Sequence, residues 1–93
     1  MKGRKLLNHL QSHYSEVLEK KLFDSFSVLD DGTVWMFCPT GRFDGSYVVE
    51  IRGVGRKYQT RTGTWLDHEN GPTWFDYGAY ATFDSLDKLM EVL

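Results

Sequence analysis

The chain has 93 residues, of which 41% are hydrophobic, 15% are aromatic and 26% are charged, and its formal net charge is −2. This length and composition are typical of one folded domain covering residues 1–93 and exclude an intrinsically disordered chain. Cys38 is the only cysteine, which excludes an intramolecular disulfide and a CxxC-type zinc site, and no apolar run approaches the ~20 residues of a membrane span, so we expect a soluble, cytoplasmic protein.

The N-terminal segment has the periodicity of an amphipathic helix. Apolar residues recur at intervals of three and four from about Gly3 to Leu22, which is the stripe that a helix packs against a core. These residues are Leu6, Leu7, Leu10, Tyr14, Val17, Leu18 and Leu22. We therefore predict one helix over 3–22, with all of these side chains facing the core.

The middle of the chain favours antiparallel strands separated by tight turns. The predicted strands are 25–29, 33–38, 46–52, 56–66 and 73–83. Asp30-Asp31-Gly32 predicts a hairpin turn, because a glycine after aspartate supplies a positive φ. Further turns are predicted at 53–55 and at Asn70-Gly71, and a bulge at Gly63.

The last segment predicts a short helix that completes an α+β fold. Asp84-Ser85-Leu86-Asp87 offers an N-cap and an acidic first turn, and an apolar stripe follows from Leu86 to Leu93. The element order predicts an N-terminal helix, a four- to five-stranded, mainly antiparallel meander sheet and a short C-terminal helix. Short connections place both helices on one face of the sheet.

Charge is segregated along the chain. One basic stretch is consistent either with a surface that contacts nucleic acid or with an ordinary solvent-exposed strand face. Its basic residues are Arg52, Arg56, Lys57 and Arg61. Strand alternation puts Lys57 and Arg61 on one face, with Arg52 alongside from the partner strand. One interpretation is a hairpin that contacts phosphates; the other is a solvated face with cross-strand pairs such as Glu50 with an Arg or Lys. Because the whole chain is slightly acidic, nucleic-acid contact is the alternative function and not the first.

An aromatic and acidic segment, 64–77, is the strongest functional signal. Trp74 falls on the strand face opposite Phe75 and Tyr77, and exposed Trp and Tyr anchor protein interfaces. Neighbouring acids would complement a basic partner. The other interpretation is that Trp65 and Trp74 pair across a hairpin as a second small cluster. The predicted partner-binding residues are Trp65, Asp67, Glu69, Trp74, Asp76 and Tyr77.

Catalytic and metal-binding patterns are weak. His9 and His13 lie four residues apart and could bind a metal with Glu16, but no Glu directly follows His9 as zinc-protease helices require. Cys38 alternates with apolar strand residues, which predicts a small buried hydrophobe. Asp67-His68-Glu69 has acid–base groups without a nucleophile. We expect no enzyme activity, no cofactor and no metal site.

Two resemblances bear on the function. The order α-β-β-β-α resembles the double-stranded RNA-binding domain, but where that family begins its second helix with lysines this chain has Asp84-Ser85-Leu86-Asp87-Lys88, so its binding residues do not transfer. In size and mild acidity the chain is similar to small accessory proteins of phages and mobile elements, including anti-CRISPR proteins. These features together predict a protein-binding module, an inhibitor of a host complex. A homodimer through an edge strand is a further option.

Overall fold

The computed structural model describes residues 3–38, 46–68, 71–75 and 78–93, with side chains for all of these except 46, 64–68 and 71–75. Helices lie at both ends of the described chain and strands lie between them. The helices are α1 (Gly3–His13), α2 (Ser15–Lys20) and α3 (Leu86–Glu91), and the strands are β1 (Ser25–Val28), β2 (Val34–Cys38), β3 (Ser46–Val54), β4 (Lys57–His68), β5 (Gly71–Phe75) and β6 (Ala81–Phe83). The predicted α+β fold with an antiparallel sheet is confirmed.

The sheet is an antiparallel meander in the order β1-β2-β3-β4-β5, and β6 also pairs with β4. The predicted single strand over 73–83 is wrong, because β5 ends with Phe75 opposite Thr64 and β6 begins with Ala81 opposite Thr60. Between these two strands, the described residues 78–80 are not part of a strand, and the amide of Gly78 donates to the carbonyl of Thr62 at 3.2 Å.

One face of the sheet, the core face, packs against the helices. Leu6 and Leu10 of α1 and Leu89 of α3 are fully buried in one cluster with strand residues. The strand residues of that cluster are Val34, Met36, Cys38, Val49 and Ile51. Burial of each such aliphatic side chain stabilises the fold by roughly 1.5–3 kcal/mol. Both ends of the chain are therefore held on the same side of the sheet, as predicted.

The N-terminal helical segment is interrupted at Tyr14, which is a correction to the single predicted helix. Tyr14 has φ −123° and ψ 23° between α1 and α2, and its hydroxyl donates a hydrogen bond to Asp87 of α3. The prediction that Leu22 faces the core is also wrong, since Leu22 is 58% exposed. α2 ends at Lys20, and Leu22 has φ 64°, so the chain turns and directs this side chain away from the apolar stripe.

Glycines with positive φ form the β1–β2 and β3–β4 turns, and the sequence predicted a turn near each of them. In the β1–β2 turn Gly32 has φ 89°, and the amide of Thr33 donates to Oδ1 of Asp31 at 2.9 Å. Hydrogen bonds from Thr33 hold the pKa of Asp31 below its usual value. Gly55, with φ 63°, forms the two-residue β3–β4 loop with Arg56. The bulge predicted at Gly63 is wrong, because Gly63 pairs with Val48 in an unbroken register.

Candidate functional site

The β4–β5 hairpin contains three of the six predicted partner-binding residues, Trp65, Asp67 and Trp74. Its register places Trp65 directly opposite Trp74, and Asp67 opposite Pro72. Trp65 is also opposite Ser46 of β3. Glu69, Asp76 and Tyr77 lie outside the described residues. The two predicted tryptophans are therefore directly paired across the antiparallel strands β4 and β5.

The described pairs between β4 and β5 extend three residues of β4 beyond the last described pair between β3 and β4. The last described pair between β3 and β4 is Ser46 with Trp65. Among the described residues, Leu66, Asp67 and His68 of β4 pair only with β5. Within residues 46–68 and 71–75, these three positions therefore have a described strand partner on the β5 side.

The side of the sheet opposite the core face, here the second face, contains a buried carboxylate. Its described strand residues include Ser25, Ser27, Trp35, Phe37, Val48, Glu50, Arg52, Lys57, Gln59 and Arg61. Glu50 is only 4% exposed. It accepts hydrogen bonds from Nε1 of Trp35 at 3.2 Å, from the hydroxyl of Tyr80 at 2.7 Å and from Nε of Arg61. Because buried charges are stable only when they are paired and hydrogen-bonded, these three donors fix the second face around Glu50.

Tyr80 connects this carboxylate to two arginines. The guanidinium carbon of Arg52 lies 3.8 Å from the centre of the Tyr80 ring, and that of Arg61 lies 4.5 Å from it. Both distances are within the range of cation–π attraction. Burial and the hydrogen bond to Glu50 raise the pKa of Tyr80 above its usual value. The segment that precedes β6 is therefore held against the second face by charge and by aromatic contact.

The four basic residues of the predicted nucleic-acid contact have different environments. Arg52 donates to Oε1 of Gln59 at 2.8 and 2.9 Å, and Arg61 pairs with Glu50. Nζ of Lys57 lies 3.5 Å from Asp84, while Arg56 is exposed in the β3–β4 loop. The predicted cross-strand pair of Glu50 with a basic residue is confirmed. The structure places Arg52, Lys57 and Arg61 close to partners within the chain.

The remaining candidate residues from the sequence are one cysteine and a pair of histidines with a nearby glutamate. Cys38 is buried in the core cluster, as predicted. His9 and His13 are stacked on α1, with ring centroids 4.0 Å apart. Within the described part of the chain, no group of three or more His, Cys, Asp or Glu side chains could hold a metal ion. Glu16 therefore does not complete a three-ligand site with the two histidines.

Trp35 and Tyr80 donate hydrogen bonds to Glu50, and neither was among the candidate residues predicted from the sequence. Tyr80 lies 30 residues from Glu50, and Trp35 lies 15 residues from it. In the sequence, Tyr80 alternates with Ala81 and Phe83. This pattern predicts that Tyr80 points to the other face of the strand, but it does not predict which residue Tyr80 contacts.

Comparisons of the chain with protein-family models, with curated proteins and with solved structures found no match. Among the described residues, no helix has the length and apolar character needed to cross a membrane.

Proposed function

We propose that this domain is a non-enzymatic protein-binding module that contacts its partner with the β4–β5 hairpin. The observation that carries the proposal is the register that sets Trp65 opposite Trp74. The alternative of a small structural cluster predicts the same pairing, and it would be favoured if Trp74→Ala lost the circular dichroism spectrum of the folded domain. Directly opposed residues of antiparallel strands have Cβ atoms about 4.5–5.5 Å apart, so one small area of the hairpin contains two tryptophans. Trp is among the residue types that contribute most to binding energy at interfaces.

The position of the hairpin supports this proposal. Leu66, Asp67 and His68 pair with β5 alone among the described residues. Trp65 and Trp74 lie next to these pairs in the same hairpin, so the contact is proposed at this part of β4 and β5 rather than at the middle of β4.

The charge of this part of the chain indicates the kind of partner. No Lys or Arg occurs between Arg61 and Lys88, whereas that stretch contains Asp67, Glu69 and Asp76. Acids around an aromatic anchor complement a basic surface and accelerate encounter with it. Occupation of such a basic surface is how the module would inhibit a host complex.

Contact with nucleic acid through the four basic residues is the weaker alternative. Arg52 and Arg61 already contact Tyr80, and Arg61 also pairs with the buried carboxylate of Glu50. Recruitment of these guanidinium groups to phosphates would remove partners from groups that are partly buried, which costs free energy. Arg56 in the β3–β4 loop is the residue best placed for such a contact.

The experiment is a pull-down from host-cell lysate with the wild-type domain, followed by affinity measurement on the retained protein. We expect Trp74→Ala to keep the circular dichroism spectrum and to weaken binding by about 2 kcal/mol, or about 30-fold in Kd. Val92→Ala is the matched control, because Val92 is an exposed apolar residue of the α3 C-cap. Unchanged affinity of a folded Trp74→Ala variant would reject the hairpin as the contact.

The same pull-down separates the two functions when the lysate is treated with nuclease and washed at low and high salt. A protein retained through both treatments agrees with the binding module. Recovery of nucleic acid alone, with a log–log salt slope of about −2 to −4, would favour the four basic residues instead.

A further inference from the structure

Two imidazole rings lie side by side on α1. His9 and His13 are four residues apart, a spacing that places side chains one above the other on a helix. Their ring centroids are 4.0 Å apart, and the ring planes are inclined by 25°. His13 is exposed and His9 is half-buried. The rings are therefore close enough for one metal ion to bind a nitrogen of each, after the imidazoles rotate out of the stack so that their in-plane lone pairs converge.

A backbone contact determines which nitrogen of His13 is available. Nδ1 of His13 lies 3.3 Å from the carbonyl oxygen of His9. Because a carbonyl oxygen only accepts hydrogen bonds, Nδ1 has to carry the proton. The neutral ring then keeps its lone pair on Nε2, the side that points away from this carbonyl. Metal-ligating histidines in proteins commonly donate their other ring nitrogen to a backbone carbonyl in the same way.

We propose that His9 and His13 form a two-histidine site for a divalent transition-metal ion, with Cu²⁺ bound more tightly than Ni²⁺ or Zn²⁺. Imidazole is a suitable ligand for all three ions, and the Irving–Williams order places Cu²⁺ first. The described residues contain no third His, Cys, Asp or Glu in a metal-holding group, so water completes the coordination. Cu²⁺ accepts such an arrangement in a tetragonal geometry. This site is independent of the hairpin contact proposed above.

The test is calorimetric titration of the untagged, full-length chain with Cu²⁺ at pH 7.5. We expect one Cu²⁺ ion to bind with an affinity that falls at least about tenfold in His9→Gln and in His13→Gln, since each variant loses one ligand of the chelate. His68→Gln removes the third histidine of the chain, which lies in β4. It should leave this affinity unchanged. The double variant His9→Gln, His13→Gln measures background binding elsewhere on the chain.

A sharper control keeps the number of histidines and changes only their spacing. Gln11 is exposed on α1, and residues two apart on a helix do not face each other. The double variant Gln11→His, His13→Gln should therefore lose the tight site as fully as His13→Gln alone. Wild-type affinity in this variant, or equal Cu²⁺ binding by the wild type and the double variant that lacks both helix histidines, would overturn the proposal.

Discussion

The guanidinium group of Arg52 lies over the ring of Tyr80, with its carbon 3.8 Å from the ring centre. Tyr80 also donates from its hydroxyl to Glu50 at 2.7 Å, so the residue contributes in two ways that substitutions can separate. Tyr80→Phe removes only the hydroxyl, and we expect a loss of about 1–2 kcal/mol because the acceptor is a carboxylate. Tyr80→Leu removes the ring as well and should cost about 1–2 kcal/mol more through the two cation–π contacts. Urea unfolding measures both values, and equal losses would show that the arginine contacts add no stability.

Glu50 should contribute far more to stability than an exposed acid with similar partners. Glu50→Gln removes a negative charge that is only 4% exposed and that contacts Nε of Arg61, and we expect a loss of about 2–3 kcal/mol. Asp84 is the matched control, because it pairs with Lys57 at 3.5 Å but its side chain is 68% exposed. Asp84→Asn should change the free energy of unfolding by less than about 1 kcal/mol. Similar losses in the two variants would mean that the burial of Glu50 does not determine its contribution.

Leu22 offers a route to a more stable protein. The amide of Phe23 donates to the carbonyl of Leu18, and that of Leu22 to the carbonyl of Glu19, which is the Schellman pattern that closes a helix. The residue at this position needs a positive φ, and glycine adopts it without the clash of a Cβ atom. Leu22→Gly should therefore raise the free energy of unfolding by about 0.5–1 kcal/mol. Leu22→Ala, which keeps the Cβ atom, should give no such gain, and destabilisation by Leu22→Gly would contradict this account.

Local signals in the sequence were enough to predict the frame of the fold. Asp31-Gly32 marked the first hairpin, and Ser85 does cap α3, accepting from the amide of Lys88 at 3.3 Å. Apolar and polar residues alternate in β3, which predicts that Val49 and Ile51 share one face, and both are buried. These features depend on residues within one turn or one strand, so they can be inferred from the order of residues alone.

The features that the sequence did not predict depend on distant residues. Alternation placed Glu50 beside Arg52 on a solvated face, but Glu50 is buried by groups from β2, from β4 and from the segment before β6. The separation of β5 from β6 depends on how each of them pairs with β4, and no pattern within 73–83 predicts this. For the hairpin, the turn signal at Asn70-Gly71 was enough to predict two strands, and the pairing of Trp65 with Trp74 was one of two interpretations.

Tyr14 connects the two ends of the chain, since its hydroxyl donates to Asp87, 73 residues away. Burial, together with the hydrogen bond to the negatively charged Asp87, raises the pKa of Tyr14 from 10.0 to about 12. The neutral phenol is therefore favoured in the folded protein relative to the unfolded chain. Its contribution to stability is complete below pH 10 and declines as the pH rises from 10 towards 12.

Tyr14→Phe tests this linkage, because phenylalanine cannot ionise or donate the hydrogen bond. At pH 8 we expect the variant to be less stable than the wild type by about 1 kcal/mol. That difference should shrink between pH 10 and pH 12, where the unfolded wild-type chain ionises at Tyr14 before the folded protein does. Tyr80 also has a raised pKa, but it is present in both proteins, so its effect cancels in the difference. Urea unfolding at pH 8, 10 and 11.5 gives the three values, and a difference that stays constant over this range would refute the role assigned to the Tyr14–Asp87 hydrogen bond.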